Sequence, residues 1–448
     1  MLSSNSVDIS DPKPLPFQAQ CLSKIDSFHG RVLLSLEMGL GKTLVSLWWL
    51  KQNLDERTPA IIVCPASVKF NWQREAARLG VNAEVLETRR SRTPRLPVVI
   101  INYDILPYWT EQLQAFKARC IIIDECQFIK EPTSKRSRAV RLLAQQCRYI
   151  LGLSGTPLLN RPIELFPILN LVRPDQFAKR RVFAWRYCKP RWTPWGWDYS
   201  GADRLDELHE RLLRLCMIRY RKEEVLTELP QKIRSVVPLP LSNPNEYMTA
   251  ERDFIRWLRE QDPSAAIRAR RAEEIVRIGY LLRLCAQLKL PAVTKWIQDN
   301  LDTSDGKLVV FARHRMIVNE LSKLFPSVVI DGSTSTSMRQ QVIDRFQSDS
   351  SIRVLIGNIY AAGVGINLTA ANRVVFVEMA WRPSDHIQAE DRCHRIGACK
   401  TVWCYYLVAK DTIEERLCRI IQRKQGLVNE VLDGTTALDL LLSDLWQT

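Results

Sequence analysis

The sequence predicts an α/β protein made of two parallel-sheet lobes of the P-loop type, with a mainly helical insertion between them. Three observations carry that prediction. Apolar runs rich in Val and Ile alternate with helical patterns over residues 15–175 and again over 301–432. Such alternation builds parallel sheets whose ligand sites lie at the C-terminal ends of the strands. One run breaks into the loop Gly39-Leu40-Gly41-Lys42-Thr43, and another ends in the acid pair Asp124-Glu125. The expected layout is a flexible leader over 1–14, a nucleotide-binding lobe over 15–175 and the insertion over 176–300. A second lobe follows over 301–432, then a helical tail over 433–448.

Composition narrows the class. With 46% hydrophobic and 25% charged residues over 448 positions, the chain has ample core for several domains. Apolar runs fall short of the roughly 18 residues that span a bilayer, and residues 1–16 lack the apolar core of a signal peptide. An intracellular protein is expected: in bacterial or host cytoplasm if prokaryotic or viral, in the nucleus if eukaryotic. The twelve cysteines include no CxxC pair, and Cys64, Cys120, Cys126 and Cys285 lie in apolar or helical runs. They read as reduced core residues, with neither structural zinc nor a disulfide framework expected. Sixty-four basic against 49 acidic residues give a net charge of +15. That balance favours polyanionic partners, through counterion release from phosphates, and is equally compatible with a merely soluble basic protein.

Taken in order, Leu15-Pro16-Phe17-Gln18 opens the first helix, and the amide of Gln18 suits an adenine sensor. Val32-Leu33-Leu34 is a buried strand, and the loop after it needs glycines so that backbone N–H groups can turn toward an oxyanion. The main chain of Met38, Gly39, Leu40 and Gly41 would cradle phosphate. Lys42 would reach the β- and γ-phosphates, and the Thr43 hydroxyl would sit on Mg²⁺. The usual pattern places a glycine where Leu36 stands. Residues 60–64, 98–102, 120–124 and 148–153 supply further strands, the last leading into Ser154-Gly155-Thr156-Pro157. Asp124 at a strand's end would hold Mg²⁺, and Glu125 would polarise the attacking water.

Residues 158–300 change character. From Lys179 to Arg234 there are 14 basic and 8 acidic residues, interleaved with Trp185, Trp192, Trp195 and Trp197. That mixture fits a nucleic-acid surface or a small tryptophan-anchored core. Ile275, Ile278, Leu282 and Cys285 follow helical spacing. Strands resume at 308–312, 328–332, 354–357 and 374–377, with a glycine-bearing loop around Gly363 and Gly365. This half has no P-loop. In Gln388-Ala389-Glu390-Asp391-Arg392-Cys393-His394-Arg395, the two arginines are expected on one helix face, either as fingers for a γ-phosphate or as solvated cations. Thr412 to Trp446 reads as helical, packing back on a lobe.

Together these motifs resemble the superfamily-two helicases, specifically the Swi/Snf-type branch of double-stranded DNA translocases, from about Pro14 to Leu432. The resemblance implies two RecA-like lobes, ATP and Mg²⁺ as cofactors, and double-stranded or forked DNA as partner. It implies Gln18 in an adenine-reading motif, Gly39 to Thr43 in motif I, and Asp124 to Gln127 in the DExx box. Lys42, Asp124, Glu125, Arg392 and Arg395 are the implied catalytic set, with Gly365 added to the nucleotide-facing residues. Pro65, Ser67, Lys69, Asn71 and Trp72 of motif Ia are implied to contact DNA or couple to it. The same holds for Ser154 and Thr156 of motif III, Arg313 of motif IV, and Ser333. Within the family, Pro194 to Gly201 and Arg219 to Pro230 look most like the annealing-helicase, fork-remodelling branch, represented by its motor alone. Leu36, Gln127 and Ala398 depart from the family's usual aspartate, histidine and glutamine. The expected function is an ATP-hydrolysing DNA translocase that remodels or reanneals forks or displaces bound proteins. The competing readings are an RNA- or single-strand-dependent unwinding helicase, and a nucleic-acid-binding scaffold that does not hydrolyse ATP.

Overall fold

The structure, a computed structural model, describes residues 13–155, 157, 161–194, 196–253, 273–362 and 366–421. Most of the expected leader, all of the expected tail beyond 432, Thr156, Trp195 and Gly365 lie outside the described residues. The chain divides into two compact units, with the break between Thr227 and Glu228.

The first unit is built on a seven-stranded sheet. Its strands are β1 (Arg31–Leu36), β2 (Ala60–Cys64), β3 (Ala83–Leu86), β4 (Val98–Asn102), β5 (Cys120–Asp124) and β6 (Tyr149–Leu153). A two-stranded hairpin, β7 (Arg191–Thr193) and β8 (Gly196–Asp198), stands apart from that sheet, which β9 (Met217–Tyr220) completes. The order is β3-β4-β2-β5-β6-β1-β9, and every pairing in it is parallel. Continuous apolar strands are what a parallel sheet covered on both faces requires. In β2, Ile61 and Val63 join one core layer while Ala60, Ile62 and Cys64 join the other. In β5, Ile121 and Ile123 separate from Cys120 and Ile122 in the same way.

The second unit carries β10 (Lys232–Leu239), β11 (Lys307–Ala312), β12 (Ser327–Ile330), β13 (Val354–Asn358), β14 (Ala371–Phe376) and β15 (Val402–Ala409). Their order is β10-β15-β14-β11-β13-β12, again all parallel. Val309 and Phe311 face one layer, and Leu308, Val310 and Ala312 the other. The predicted class, two parallel-sheet α/β lobes, is therefore the observed one.

Among its described residues the stretch 176–300 is mainly helical, as expected, and it also contributes strands to both large sheets. β9 hydrogen-bonds to β1 in the first sheet, β10 is an edge strand of the second, and the β7–β8 hairpin precedes both in sequence. The sequence does not predict β9 and β10 because polar side chains weaken their alternation. Arg219 interrupts β9, while Lys232, Arg234 and Ser235 interrupt β10, so neither strand reads as an apolar run. The described helices of this stretch are Arg180–Tyr187, Leu205–Leu215, Lys222–Val225, Pro244–Arg252 and Glu273–Asp302.

Candidate active site

β1 runs to Leu36, whose side chain is fully buried and whose backbone is ordinary extended chain. No glycine is needed there. Left-handed geometry arises later, at Gly39 (φ 85°) and Gly41 (φ 80°), where a Cβ would be strained. A Cβ on Gly41 would also stand 2.6 Å from Gln18 Nε2. The helix Lys42–Gln52 begins immediately after this turn, so its N-terminus opens onto the loop. Thr43 is its second residue. Lys42 Nζ donates to the Leu36 carbonyl at 3.0 Å, which bends the ammonium back over the loop mouth.

Gln18 is buried against the same loop. Its Nε2 donates to the Leu40 carbonyl at 3.1 Å, and its Oε1 accepts from the Leu15 amide at 2.9 Å. In this conformation the expected adenine sensor braces the loop, with both ends of its amide engaged.

β5 delivers Asp124 beside the loop. The Asp124 carboxylate accepts from the Trp72 indole at 2.8 Å and from the Glu125 amide at 3.0 Å. Its main-chain carbonyl accepts from the Tyr103 hydroxyl at 2.6 Å. Burial, and next the charge of Glu125, push its carboxyl up to about 7, with the Trp72 bond and the Lys42 charge opposing. Glu125 adopts a left-handed backbone (φ 49°, ψ 55°), uncommon for a non-glycine residue and a cost of about 1–3 kcal/mol. Gln127 Nε2 donates to Glu125 Oε2 at 2.6 Å, and Ser154 Oγ donates to Gln127 Oε1 at 2.7 Å. The acid pair is thus hydrogen-bonded to the residue that follows β6. Next to Ser154, a Cβ on Gly155 would meet Met38 Cγ at 2.7 Å and Lys42 Nζ at 3.3 Å, so the segments after β1 and β6 are in contact.

Sequence reasoning missed Arg219. From β9 it donates to the Ser35 carbonyl at 3.0 Å and to the Gly155 carbonyl at 3.2 Å, tying the end of β1 to the segment after β6. The Lys222 amide, just beyond, donates to Glu37 at 2.7 Å. The signal in sequence was weak: an arginine in a short, half-apolar run.

Among the residues expected to touch or couple to DNA, two turn inward. Trp72 is fully buried on Asp124, and Lys69 is buried with Nζ donating to the Leu86 carbonyl at 3.1 Å. Both sit on the core-facing side of the helix Lys69–Arg78. Pro65 is buried, while Ser67 and Asn71 are half-buried and Phe70 is exposed.

In the second unit, Arg313 lies over the Trp381 ring at 5.4 Å, and Ser333 is exposed within a turn closed onto Asp331. Arg392 and Arg395 do not share a helix face. The helix Pro383–Glu390 ends before them, and they lie in the turn that follows, where Gly397 takes φ 96°. Arg392 donates to the Gln388 carbonyl at 3.1 Å and the Ile366 carbonyl at 3.3 Å. That turn is anchored from β10. Arg234 forms a bidentate pair with the fully buried Glu390 at 2.7 and 2.9 Å, and Lys232 reaches Glu390 at 3.0 Å and Asp391 at 3.1 Å. Burial alone would raise the Glu390 carboxyl, yet Arg234 and Lys232 hold it well below the usual carboxylate range.

The first unit's donor set fits a nucleotide with a hard divalent cation. Asp124 offers a buried carboxylate oxygen, Thr43 offers a hydroxyl in the first turn of the helix after the loop, and the acid pair Asp124-Glu125 with the Lys42 charge close by favours added positive charge.

A family profile described as SNF2-related domain matches residues 20–263, and a helicase conserved C-terminal domain profile matches residues 289–397. Over 420 residues, 92% of this chain, the sequence is 34% identical to a Xenopus tropicalis protein, covering 44% of it. That protein is named SWI/SNF-related matrix-associated actin-dependent regulator of chromatin subfamily A-like protein 1. It is also 33% identical over 451 residues to the Homo sapiens DNA annealing helicase and endonuclease ZRANB3, covering 94% of this chain and 40% of that protein. The chain spans less than half the length of these two relatives. The Sulfolobus solfataricus SWI2/SNF2 ATPase core in complex with dsDNA aligns over 97% of this chain and 96% of its own, with a TM-score of 0.46 and 22% identity.

Proposed function

We propose that this chain, which belongs to the SNF2-related family and also carries a helicase C-terminal domain, hydrolyses ATP to move along double-stranded DNA. The observation that supports this most is the joined constellation at the strand ends: Lys42 over its loop, Asp124 and Glu125 after β5, and Ser154 bonded back to Glu125 through Gln127. Backbone N–H groups of Gly39 to Gly41 and the helix N-terminus would bind the phosphates, with Lys42 swinging from the Leu36 carbonyl to the β- and γ-oxygens. Thr43 and Asp124 would hold Mg²⁺, which when bound neutralises charge on those oxygens. Glu125 would orient and deprotonate the attacking water, and Arg392 and Arg395 would stabilise the charge that develops on the transferred phosphate.

Movement without sequence preference needs contacts to the phosphate backbone alone, which carries no base information, and the net charge of +15 suits that. Reannealing or remodelling of forked DNA is the biological outcome we infer, from the relative named as an annealing helicase.

The test is steady-state phosphate release at fixed low salt with no nucleic acid, linear duplex, single strand, forked DNA or RNA. Strong stimulation by duplex, greater with forks, is expected. Stimulation by RNA or single strands alone would overturn the proposal. In the same assay Arg395→Ala is expected to lose DNA-stimulated turnover by about 10³-fold or more while ATP still binds.

A further inference from the structure

The hairpin β7–β8 and the helix Arg180–Tyr187 before it belong to neither large sheet, yet together they display an aromatic cluster that the catalytic constellation does not use. The helix packs inward through Phe183, Ala184 and Tyr187 and leaves Val182 (63%) and Trp185 (47%) exposed. In the hairpin, Trp192 and Trp197 are cross-strand partners, exposed at 69% and 43%. Trp197 lies edge-on to Trp185, with centroids 5.0 Å apart, and Trp192 is edge-on to Trp197 at 5.3 Å. Edge-to-face contact satisfies the indoles among themselves while leaving ring faces open to solvent. Exposed tryptophans grouped in this way mark a binding surface, whereas singly scattered exposed apolar residues are ordinary.

The surrounding charge identifies the ligand class. Lys179, Arg180, Arg181, Lys189 and Arg191 are all exposed around the cluster. Arg180 lies over the Tyr199 ring at 5.2 Å, and Asp198 is tied down by Ser200. An apolar protein partner would not require this ring of cations, whereas a nucleic-acid strand needs both parts: cations for phosphates and ring faces for bases. In a duplex each base face is already covered by its neighbours, so open indoles can stack only on bases that have lost their partner.

We propose that Trp185, Trp192 and Trp197 form a stacking platform for unpaired bases of a DNA strand, such as the single-stranded arm of a fork. The choice of DNA rests on the motor proposed above; the platform's chemistry does not. On that basis the hairpin gives the first unit a means of distinguishing a branched end from continuous duplex.

The experiment measures fluorescence-anisotropy affinity of the full chain for three labelled substrates of equal duplex length: a blunt duplex, a fork with oligothymidine arms, and a fork whose arms are abasic. Phosphate release with the blunt duplex is followed in parallel. Trp192→Ala/Trp197→Ala is expected to weaken binding of the thymidine fork by about fivefold or more. Blunt-duplex affinity and blunt-duplex-stimulated hydrolysis should stay unchanged. Trp192→Phe should retain most of the fork affinity, because a phenyl face still stacks. The unaltered chain should bind the abasic fork as weakly as the double variant binds the thymidine fork, a comparison that does not depend on how the variant folds. Equal affinity of the unaltered chain for abasic and thymidine arms would overturn the platform. So would equal losses by the double variant on fork and blunt duplex. Absence of duplex-stimulated hydrolysis in the unaltered chain would instead defeat the motor proposal and leave the arm comparison intact.

Discussion

Replacing Gln127 with leucine isolates the connection between the acid pair and the segment after β6. Gln127 donates to Glu125 Oε2 at 2.6 Å and accepts from Ser154 Oγ at 2.7 Å, and it is buried. Leucine fills nearly the same space and makes neither bond. The first bond involves a carboxylate and is worth about 1.5–3 kcal/mol, the second about 0.5–1.5 kcal/mol. If both are made fully only as water attacks, their sum of about 2–4.5 kcal/mol corresponds to a fall in kcat of roughly 30- to 2,000-fold. Neither of these bonds involves the loop of Gly39 to Lys42, so KM for ATP should change little. The assay is phosphate release at saturating ATP and duplex DNA, with nucleotide affinity followed separately by a fluorescent ATP analogue. Gln127→His keeps a donor toward Glu125 and should stay within about tenfold of the unaltered chain. A Gln127→Leu variant within twofold of normal kcat would refute the connection. So would a large loss there with no change in Ser154→Ala, since the two residues would then not act as one unit.

Three further outcomes follow from named contacts. Arg219→Ala removes the bonds to the Ser35 and Gly155 carbonyls, and kcat should fall by about tenfold or more with ATP affinity nearly intact, measured in the same assay. In the second unit, the fully buried Lys289 is bonded to Glu414 at 2.6 and 2.7 Å. Lys289→Met should therefore destabilise that unit by about 3–5 kcal/mol, and Lys289→Met/Glu414→Leu should recover most of it, as read from urea unfolding. Burial lowers the His386 imidazole to about 4, where Nε2 accepts from the Ala380 amide. Because unfolding lets it charge, its contribution is complete above about pH 6.5 and is lost as pH falls toward 4, about 3 kcal/mol in all. His386→Asn should flatten the pH dependence of melting across that interval.

Legibility followed burial. Strands sealed on both faces announced themselves: β2, β4 and β5 are mostly Ile and Val, and the two acids at the end of β5 stood out against that background. β10 is an edge strand, only half-buried along most of its length, with Pro238 near its end, so selection for an apolar run is relaxed. β15, a run rich in Val, Trp and Tyr that suits a strand, is not assigned from the sequence. Side-chain destinations were the least legible. Trp72 and Lys69 sit in a motif read as DNA-facing, but which face of a ten-residue helix turns inward depends on what β3 and β5 place beneath it. No local pattern encodes a bond from Trp72 to a carboxylate 52 positions away.

The sheet order explains why the site behaves as one object. β5, β6, β1 and β9 are adjacent, so the segments that leave their C-terminal ends are neighbours in space although far apart in sequence. Contacts run laterally across them: Glu125 to Gln127 to Ser154, Gly155 against Met38 and Lys42, and Arg219 to both Ser35 and Gly155. A shift of Lys42 away from the Leu36 carbonyl would change the packing of its ammonium, which already lies beside Gly155, next to Ser154, whose hydroxyl is bonded through Gln127 to Glu125. The left-handed turn at Glu125 makes that end of the chain responsive, since a backbone held about 1–3 kcal/mol above its minimum yields readily when one supporting bond changes. The lateral contacts among these four adjacent strand ends run through the side chains of Gln127, Ser154 and Arg219.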